Sequence, residues 1–325
     1  MYAIELTPEH PVAQLTDFAV TAESEGFDAV FASHHYNNRD QFMALASMAQ
    51  ATDEVLLGPG IANPYETHPV TLASRVATLS ELSDGRAVFG VGPGDKSTIR
   101  NLGFDHDDAL RRVLETFKVA QRLWDGERVD HDGTFRADDA GLNYEVDDVP
   151  VYVGAQGPHM TKMAAKHADG VLYNGSHPKD IAWARDQVDS MLDDRVADSE
   201  FDLGAYASVS VAEDADAAYE AARPPVAFVA AGSPPPVLDR HGIDHETAGE
   251  ISDAISAGEF EEAFGLVTAA MIDAFCIAGT PEDVAERTEK LREHADSVVF
   301  ASPLGPDIET AIALLGAEID RFPAE

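Results

Sequence analysis

Charged side chains follow two of the short apolar runs in this sequence, where they could transfer a proton or bind a ligand. Glu5 ends the first run and precedes Leu6-Thr7-Pro8, whereas Asp95 and Lys96 follow Gly92-Pro93-Gly94. A carboxyl group at the mouth of an enzyme site suits acid–base catalysis. Lys96 is one of only six lysines, so we expect it to have a functional role. A solvated or ion-paired acid at a strand end is the alternative reading of Glu5.

Glycine-rich corners after other apolar runs point to ligand binding. They are Gly58-Pro59-Gly60-Ile61-Ala62-Asn63-Pro64 and Val153-Gly154-Ala155-Gln156-Gly157-Pro158, with Asn174-Gly175-Ser176 after the next run. Glycine has no Cβ, so the main chain can approach a ligand closely. Helices that start at Pro158 and at Ser97 and Thr98, the latter two as caps, would favour an anion such as phosphate. A simple turn or a helix cap is the alternative at each corner.

The segment Ser33-His34-His35-Tyr36-Asn37-Asn38 combines imidazole, phenol and amide groups and predicts a polar ligand-binding corner. A metal site is not favoured, because adjacent histidines in a loop rarely point at one ion and no HxH, HExxH or cysteine cluster accompanies them. The sequence also lacks a P-loop and a GxGxxG after its first strand. ATP hydrolysis and Rossmann-type nicotinamide binding therefore have no support.

Eight short apolar runs predict the strands that carry these corners. They are Ala3–Leu6, Ala29–Ala32, Val55–Leu57, Ala87–Val91, Val151–Val153, Gly170–Tyr173, Leu203–Val211 and Ser297–Ala301. Amphipathic stretches with a 3.6-residue period predict helices over Val12–Glu25, Gln41–Ala51, Pro69–Leu82, Ala109–Trp124, Pro158–His167 and Pro281–His294. This alternation predicts an α/β protein with a (β/α)8 TIM-like barrel, whose corners would meet on one face. A doubly wound open sheet is the alternative.

Two insertions interrupt the alternation. Residues 125–149 are polar and predict an excursion with a small hairpin. Residues 222–270 contain Pro224-Pro225 and Pro234-Pro235-Pro236 and predict a helical subdomain beside the barrel. We therefore expect residues 1–325 to form one barrel domain with two insertions.

The composition is strongly acidic, with 59 acidic and 22 basic residues and a formal net charge of -37. Because the acids are spread along the chain and 45% of residues are hydrophobic, we expect a folded protein adapted to very high salt, with an ordinary acidic enzyme as the alternative. Such a charge disfavours binding to nucleic acid or an anionic membrane. The one cysteine, Cys276, lies in an apolar run and predicts a buried structural thiol. With no signal peptide and no apolar run of membrane-spanning length, we expect a cytoplasmic location.

Several motifs resemble the methylenetetrahydromethanopterin reductase family, which belongs to the bacterial-luciferase-like flavin and deazaflavin superfamily. The resemblance runs in order from about residue 2 to 320. It rests on Ile4-Glu5-Leu6-Thr7-Pro8, His35-Tyr36-Asn37-Asn38, Leu57-Gly58-Pro59-Gly60-Ile61-Ala62-Asn63-Pro64-Tyr65, Gly92-Pro93-Gly94-Asp95-Lys96, Gly154-Ala155-Gln156-Gly157-Pro158, Arg240-His241-Gly242-Ile243-Asp244, Ala274-Phe275-Cys276-Ile277-Ala278-Gly279 and Ser302-Pro303-Leu304-Gly305-Pro306-Asp307.

The resemblance implies a TIM-like barrel enzyme that uses coenzyme F420, an 8-hydroxy-5-deazaflavin, with FMN as the alternative cofactor. It implies transfer of a hydride from the reduced deazaflavin to the methylene carbon of a tetrahydropterin, either tetrahydromethanopterin or tetrahydrofolate. It also implies a homodimer or homotetramer and a non-prolyl cis peptide at Gly60-Ile61 that backs the coenzyme ring. No metal is needed for this two-electron chemistry.

By the same resemblance, Glu5 and Asp95 are the catalytic candidates, with Glu5 as the acid that protonates the departing ring nitrogen. The candidate coenzyme-binding residues lie at the strand-end corners: His34, Gly60, Ile61, Asn63, Lys96, Ser97, Thr98, Ala155, Gln156, Gly157, Asn174 and Gly175. The chain departs from the family pattern at His34, where Asp is usual, and in a shorter segment over residues 101–112. The alternatives are an F420-dependent alcohol dehydrogenase, a flavin monooxygenase and a cofactor-binding protein without turnover.

Overall fold

Eleven strands form the sheets of this computed structural model, which describes residues 1–319 apart from the side chain of Ser97. The strands are β1 (Tyr2–Leu6), β2 (Ala29–Ala32), β3 (Leu56–Pro59), β4 (Phe89–Val91), β5 (Val129–Asp132), β6 (Arg136–Ala140), β7 (Val151–Ala155), β8 (Gly170–Asn174), β9 (Asp202–Val211), β10 (Ile277–Gly279) and β11 (Ser297–Leu304).

Fourteen helices accompany them in the described part of the chain. They are α1 (Val12–Ser24), α2 (Gln41–Ala49), α3 (Pro69–Leu82), α4 (Lys96–Asn101), α5 (Ala109–Trp124), α6 (Pro158–His167), α7 (Pro178–Leu192), α8 (Ala215–Gly232), α9 (Pro235–His241), α10 (His245–Ala257), α11 (Phe260–Gly265), α12 (Ala269–Phe275), α13 (Pro281–Arg292) and α14 (Ile308–Ile319). The six predicted helices are all present, with ends within two residues of their predicted bounds.

Eight parallel strands form a barrel in the order β3-β2-β1-β11-β9-β8-β7-β4. Parallel bridges from Leu57 to Ala87 and from Ala62 to Val91 join the two ends of this path. The (β/α)8 prediction is confirmed, and each predicted strand is one of the eight. Since the strands are parallel, their carboxyl ends and the corners after them share one face. The short strand β10, which we did not predict, pairs with β9 outside this path.

Apolar side chains fill both sides of the barrel wall. The outer set lies between strands and helices, and α1 contributes Leu15, Phe18, Ala19 and Ala22, as its periodicity predicts. A smaller inner set is buried within the barrel: Ala3, Ala29, Phe31, Val88, Leu172 and Val299. The barrel interior is therefore a packed core, and ligand space lies at its mouth.

The barrel closes where β3 and β4 approach each other through glycines. A Cβ on Gly90 would lie 1.9 Å from the carbonyl oxygen of Pro59, and a Cβ on Gly58 would lie 2.3 Å from that of Val88. These carbonyl oxygens belong to the backbone, so they cannot move away from an added methyl group unless the whole strand moves. Close approach of these strands therefore requires glycine at both positions.

We predict that Gly90→Ala lowers the free energy of unfolding by about 3 kcal/mol, because the new methyl group forces β3 and β4 apart. Chemical denaturation checks this. The matched control is Gly249→Ala in α10, where no described atom lies within 4 Å of the added Cβ, apart from its chain neighbours and the backbone of its own helix. That change should stabilise the helix by about 0.5–1 kcal/mol. Equal stabilities for the two variants would contradict the packing argument.

The two insertions have their own structures. Strands β5 and β6 pair antiparallel as a hairpin within residues 125–149. Helices α8 to α12 share a second apolar cluster, in which Cys276 is buried. Burial raises the pKa of the Cys276 thiol, in keeping with a structural role. Helix α8 continues through Pro224 and Pro225, so residue 222, where we began the insertion, lies inside a helix.

Within residues 1–319, no helix combines the length and the apolar character needed to cross a membrane.

Candidate active site

Glu5 is the last residue but one of β1, at the mouth of the barrel, and is only 2% exposed. Thr7 Oγ1 donates to its Oε1 at 2.8 Å, and the backbone N–H of Ser302 donates to its Oε2 at 3.0 Å. Because Thr7 gives its proton to Glu5, it accepts one from Ser302 Oγ, 2.8 Å away. These contacts join the first and last barrel strands around one carboxylate and fix its orientation.

Tyr206 on β9 lies near this carboxylate and contacts the corner after β3. Its hydroxyl donates to the carbonyl oxygen of Gly60 at 3.0 Å. Burial and the nearby Glu5 carboxylate raise the pKa of Tyr206 well above its usual value, so the hydroxyl remains a donor. The Gly60-Ile61 peptide is cis, as the resemblance implies.

The Ile61 side chain lies against glycines of the neighbouring strand ends. A Cβ on Gly92 would lie 3.1 Å from Ile61 Cδ1, and a Cβ on Gly154 would lie 3.0 Å from Ile61 Cγ2. The glycines at these two corners thus make room for Ile61. The result is a partly buried apolar surface at the mouth of the barrel.

His34 and Asn63 both contact Glu66, which we did not single out from the sequence. Glu66 accepts from Asn63 Nδ2 at 2.7 Å and contacts His34 Nε2 at 2.9 Å. Asn63 is buried, whereas the side chains of His34 and Glu66 are 22% and 19% exposed. This triad links the corners after β2 and β3.

The prediction that Ser97 and Thr98 cap the helix after β4 is wrong. Asp95 is the N-cap of α4, and its carboxylate accepts from the backbone N–H of Thr98 at 2.9 Å. An Asp at this position satisfies a helix N–H better than residues inside the first turn can. Thr98 is buried within the helix, Lys96 is exposed, and the side chain of Ser97 lies outside the described part of the structure.

The remaining predicted residues lie at the corners after β7 and β8. Ala155 is buried, Gln156 and Asn174 are exposed, and Gly157 precedes α6 as its N-cap. Gly175 donates its N–H to the carbonyl oxygen of Tyr206 at 3.1 Å, which joins this corner to the barrel interior. Gln156, Asn174 and Gly175 line a groove that Arg240 of α9 and Phe275 of α12 complete.

Asp180 connects this groove to the helical insertion. It is 5% exposed, accepts a hydrogen bond from Arg240 and lies 2.8 Å from His241 Nε2. The Arg240 guanidinium also lies over the Trp183 ring, 4.6 Å from its centroid. Burial alone would raise the pKa of the Asp180 carboxyl, but the contacts to His241 and Arg240 hold it below its usual value.

We predict that Asp180→Asn lowers the free energy of unfolding by about 3 kcal/mol near neutral pH, because it leaves Arg240 without its buried anion. Since the folded-state pKa is lowered, this stabilisation is present above pH about 4 and is lost as pH falls through the folded pKa. Denaturation of both proteins across pH checks this. Asp189→Asn, whose surface carboxylate lies 3.8 Å from Arg185 Nη1, is the control and should change stability by less than about 0.5 kcal/mol. A difference between wild type and Asp180→Asn that stays constant down to pH about 2 would contradict the ionic account.

The structure brings Glu5, Gly60, Ile61, His34 and Asn63 to one mouth. Gly175 after β8 bonds to the carbonyl oxygen of Tyr206, and Gly154 of β7 lies against Ile61. Sequence reasoning missed the roles of Thr7, Ser302, Tyr206 and Glu66. Ser302 directly follows the last predicted strand. The criterion used for the other candidates, a polar residue directly after a predicted strand, would have included it. Among the residues that the structure describes, no three His, Cys, Asp or Glu side chains are grouped to hold a metal ion.

Comparison with known proteins extends over nearly the whole chain. A family model described as luciferase-like monooxygenase matches residues 3–297. The 5,10-methylenetetrahydromethanopterin reductase of Archaeoglobus fulgidus is 40% identical over 325 residues, covering 98% of each chain. The protein of the same name from Methanolobus tindarius is 40% identical, covering 98% of this chain and 99% of its own.

Solved structures agree with this likeness. The coenzyme F420 dependent tetrahydromethanopterin reductase of Methanopyrus kandleri superposes with a TM-score of 0.93 at 38% identity, covering 99% of both chains. An F420-dependent secondary alcohol dehydrogenase superposes with a TM-score of 0.78 at 20% identity, covering 100% of this chain and 99% of its own, which shows a shared fold.

Proposed function

The chain belongs to the luciferase-like monooxygenase family, and on that premise we propose that it is an F420-dependent 5,10-methylene-tetrahydropterin reductase. The enzyme transfers a hydride between coenzyme F420 and the one-carbon unit of the pterin, as the names of its relatives indicate. We propose tetrahydromethanopterin or tetrahydrofolate as the carrier, and the experiment below distinguishes them.

The residues at the mouth suit a flat deazaflavin with a ribityl chain and a phosphate. Ile61 offers an apolar face to the ring, and the exposed Gln156 and Asn174 offer amides to its edge and chain. Asn63 offers the one Nδ2 proton that does not go to Glu66. Gly157 has open space beside it, since no described atom outside Gly157 and its two chain neighbours lies within 4 Å of the position that a Cβ would take. When bound, the deazaflavin supplies a two-electron hydride donor, so no reactive cysteine is required.

Glu5 can hold a proton at one defined oxygen. Oε2 faces the Ser302 N–H, which only donates, so the proton of the acid form resides on Oε1. Thr7 faces Oε1, and its hydroxyl donates to the carboxylate or accepts from the acid. Glu5 can therefore deliver a proton to the departing pterin nitrogen and return to the carboxylate, with reorientation of the Thr7 hydroxyl proton as the accompanying change.

The observation that carries this proposal is the buried Glu5 carboxylate, held by Thr7 and Ser302 at the same mouth where Tyr206 contacts the Gly60-Ile61 corner. A proton donor and a ring-backing surface lie at the same mouth. A reaction between two stacked rings needs both within reach, because only reactants held near contact gain the full benefit of orientation.

The test is anaerobic oxidation of reduced F420 in concentrated salt with methylene-tetrahydrofolate and methylene-tetrahydromethanopterin side by side. We expect turnover with at least one of them, and reduced FMN should not replace F420. Oxidation of reduced F420 by a simple ketone alone, with the secondary alcohol as product, would identify an alcohol dehydrogenase. Oxygen consumption with reduced FMN would identify a monooxygenase. Either result would overturn the proposal.

A further inference from the structure

The carboxylate of Glu66 is held from two sides at the barrel mouth. Asn63 Oδ1 accepts the backbone N–H groups of Tyr65 and Glu66, each at 3.2 Å. With its oxygen used in this way, Asn63 directs Nδ2 to Glu66 Oε1 at 2.7 Å. Buried Asn63 thus fixes the position of the carboxylate from within the same turn.

This carboxylate determines which nitrogen of His34 carries a proton. Nε2 lies 2.9 Å from Oε1 and 3.0 Å from Oε2 of Glu66. An ionised carboxylate only accepts hydrogen bonds, so Nε2 must be the donor. A neutral imidazole carries its proton on one ring nitrogen, and the hydrogen-bond partner of Nε2 places it there. Nδ1 is then an acceptor.

His34 Nδ1 is available to a ligand. Within residues 1–319 no hydrogen bond reaches this atom, and it is not among the side-chain polar atoms buried without a partner. The preceding residue, Ser33, donates to Thr7 Oγ1 at 3.3 Å and so joins the Glu5 network. The free lone pair of Nδ1 therefore lies at the same barrel mouth as Glu5, the candidate proton donor.

We propose that Glu66 is a positioning residue that, held by Asn63, fixes the His34 tautomer and presents Nδ1 as an acceptor to a ring N–H of the bound heterocycle. The inference rests on the proposed function for the identity of that heterocycle. Deazaflavin and tetrahydropterin both carry a pyrimidinone N–H, and this shared group is the chemistry recognised. Glu66 contacts neither reacting atom and acts through His34.

The test compares Glu66→Gln with the wild type in binding titrations with oxidised F420 and with 5-methyl-tetrahydrofolate and 5-methyl-tetrahydromethanopterin. Asn63 Nδ2 donates to Oε1, so the Gln amide oxygen takes that position and its NH2 group takes the position of Oε2, next to His34 Nε2. Donation from this NH2 group to Nε2 moves the imidazole proton to Nδ1, which is then no longer an acceptor. We expect the Kd for one heterocycle to rise about fivefold, the effect of one hydrogen bond. The heterocycle affected identifies the ring that His34 meets. The melting temperature should change by less than about 2 °C, as for a partly exposed substitution.

A double-mutant cycle distinguishes positioning from a general structural effect. His34→Ala should cause a similar loss, and adding Glu66→Gln to it should cause no further loss. The matched control is Asp239→Asn, which alters an exposed carboxylate 2.9 Å from His245 Nε2 on the helical insertion. It should leave every Kd unchanged.

Unchanged affinities in Glu66→Gln, or losses that add in the double variant, would overturn the positioning role. Failure of the proposed function is a separate result, because it appears as wild-type protein without turnover on either methylene-pterin. The titrations report on Glu66 in that case too, since they measure binding.

Discussion

Glu5→Gln is expected to reduce turnover by a factor of about 10²–10⁴ while leaving F420 affinity within about twofold, because it removes a general acid and keeps its shape. The Gln oxygen can accept from the Ser302 N–H, and the Thr7 hydroxyl can accept from the new amide. The network around residue 5 therefore survives the loss of the proton. Steady-state kinetics and a fluorescence titration with F420 measure the two effects separately.

The control for this experiment is Glu9→Gln, which removes an exposed carboxylate four residues along the same segment. It should leave turnover unchanged. If Glu5→Gln turns over at near the wild-type rate, Glu5 has no part in proton transfer and the acid must be another group. If it loses coenzyme affinity as well as turnover, Glu5 contributes to binding and the catalytic assignment fails.

Removal of salt is expected to unfold the protein, because a formal net charge of -37 repels itself across the compact state. The screening length falls from about 10 Å at 0.1 M salt to about 3 Å at 1 M, so molar salt removes most of this repulsion. We predict a cooperative melt in about 3 M NaCl and loss of native structure in dilute buffer. Circular dichroism melts over a salt series check this.

Sucrose provides the control, because it stabilises by exclusion from the surface without screening charge. We expect sucrose in dilute buffer to recover only part of the stability that NaCl provides. Equal recovery by both would show that exclusion and not screening dominates. A melting temperature independent of salt would contradict adaptation to high salt altogether.

The barrel could be predicted from the sequence because its signals are local. Each predicted strand is a short apolar run, and all but Leu203–Val211 are followed at once by glycine or a polar residue. Each predicted helix shows its own period. The strand β10 was missed because Ile277–Gly279 is short and continues the apolar run of α12. The helical path through Pro224 and Pro225 was missed because proline normally marks a helix end.

The contacts of the candidate site could not be predicted in the same way. Thr7 and Ser302 are 295 residues apart, and Tyr206 lies 146 residues from the glycine that it contacts. Strand order brings these residues together, and no local pattern records the pairing. The N-cap of α4 could have been predicted, because Asp directly before a helix is a local signal. We instead predicted that Ser97 and Thr98, which follow Asp95, would cap the helix.

Isotope transfer tests the central claim most directly. F420 reduced with deuterium at its hydride-donating carbon is incubated anaerobically, in concentrated salt, with the protein and each unlabelled methylene-pterin. The account predicts a methyl-pterin that carries one deuterium in its methyl group, identified by mass spectrometry. A methyl product without deuterium, or oxidation of F420 with no methyl product from either pterin, would contradict direct hydride transfer.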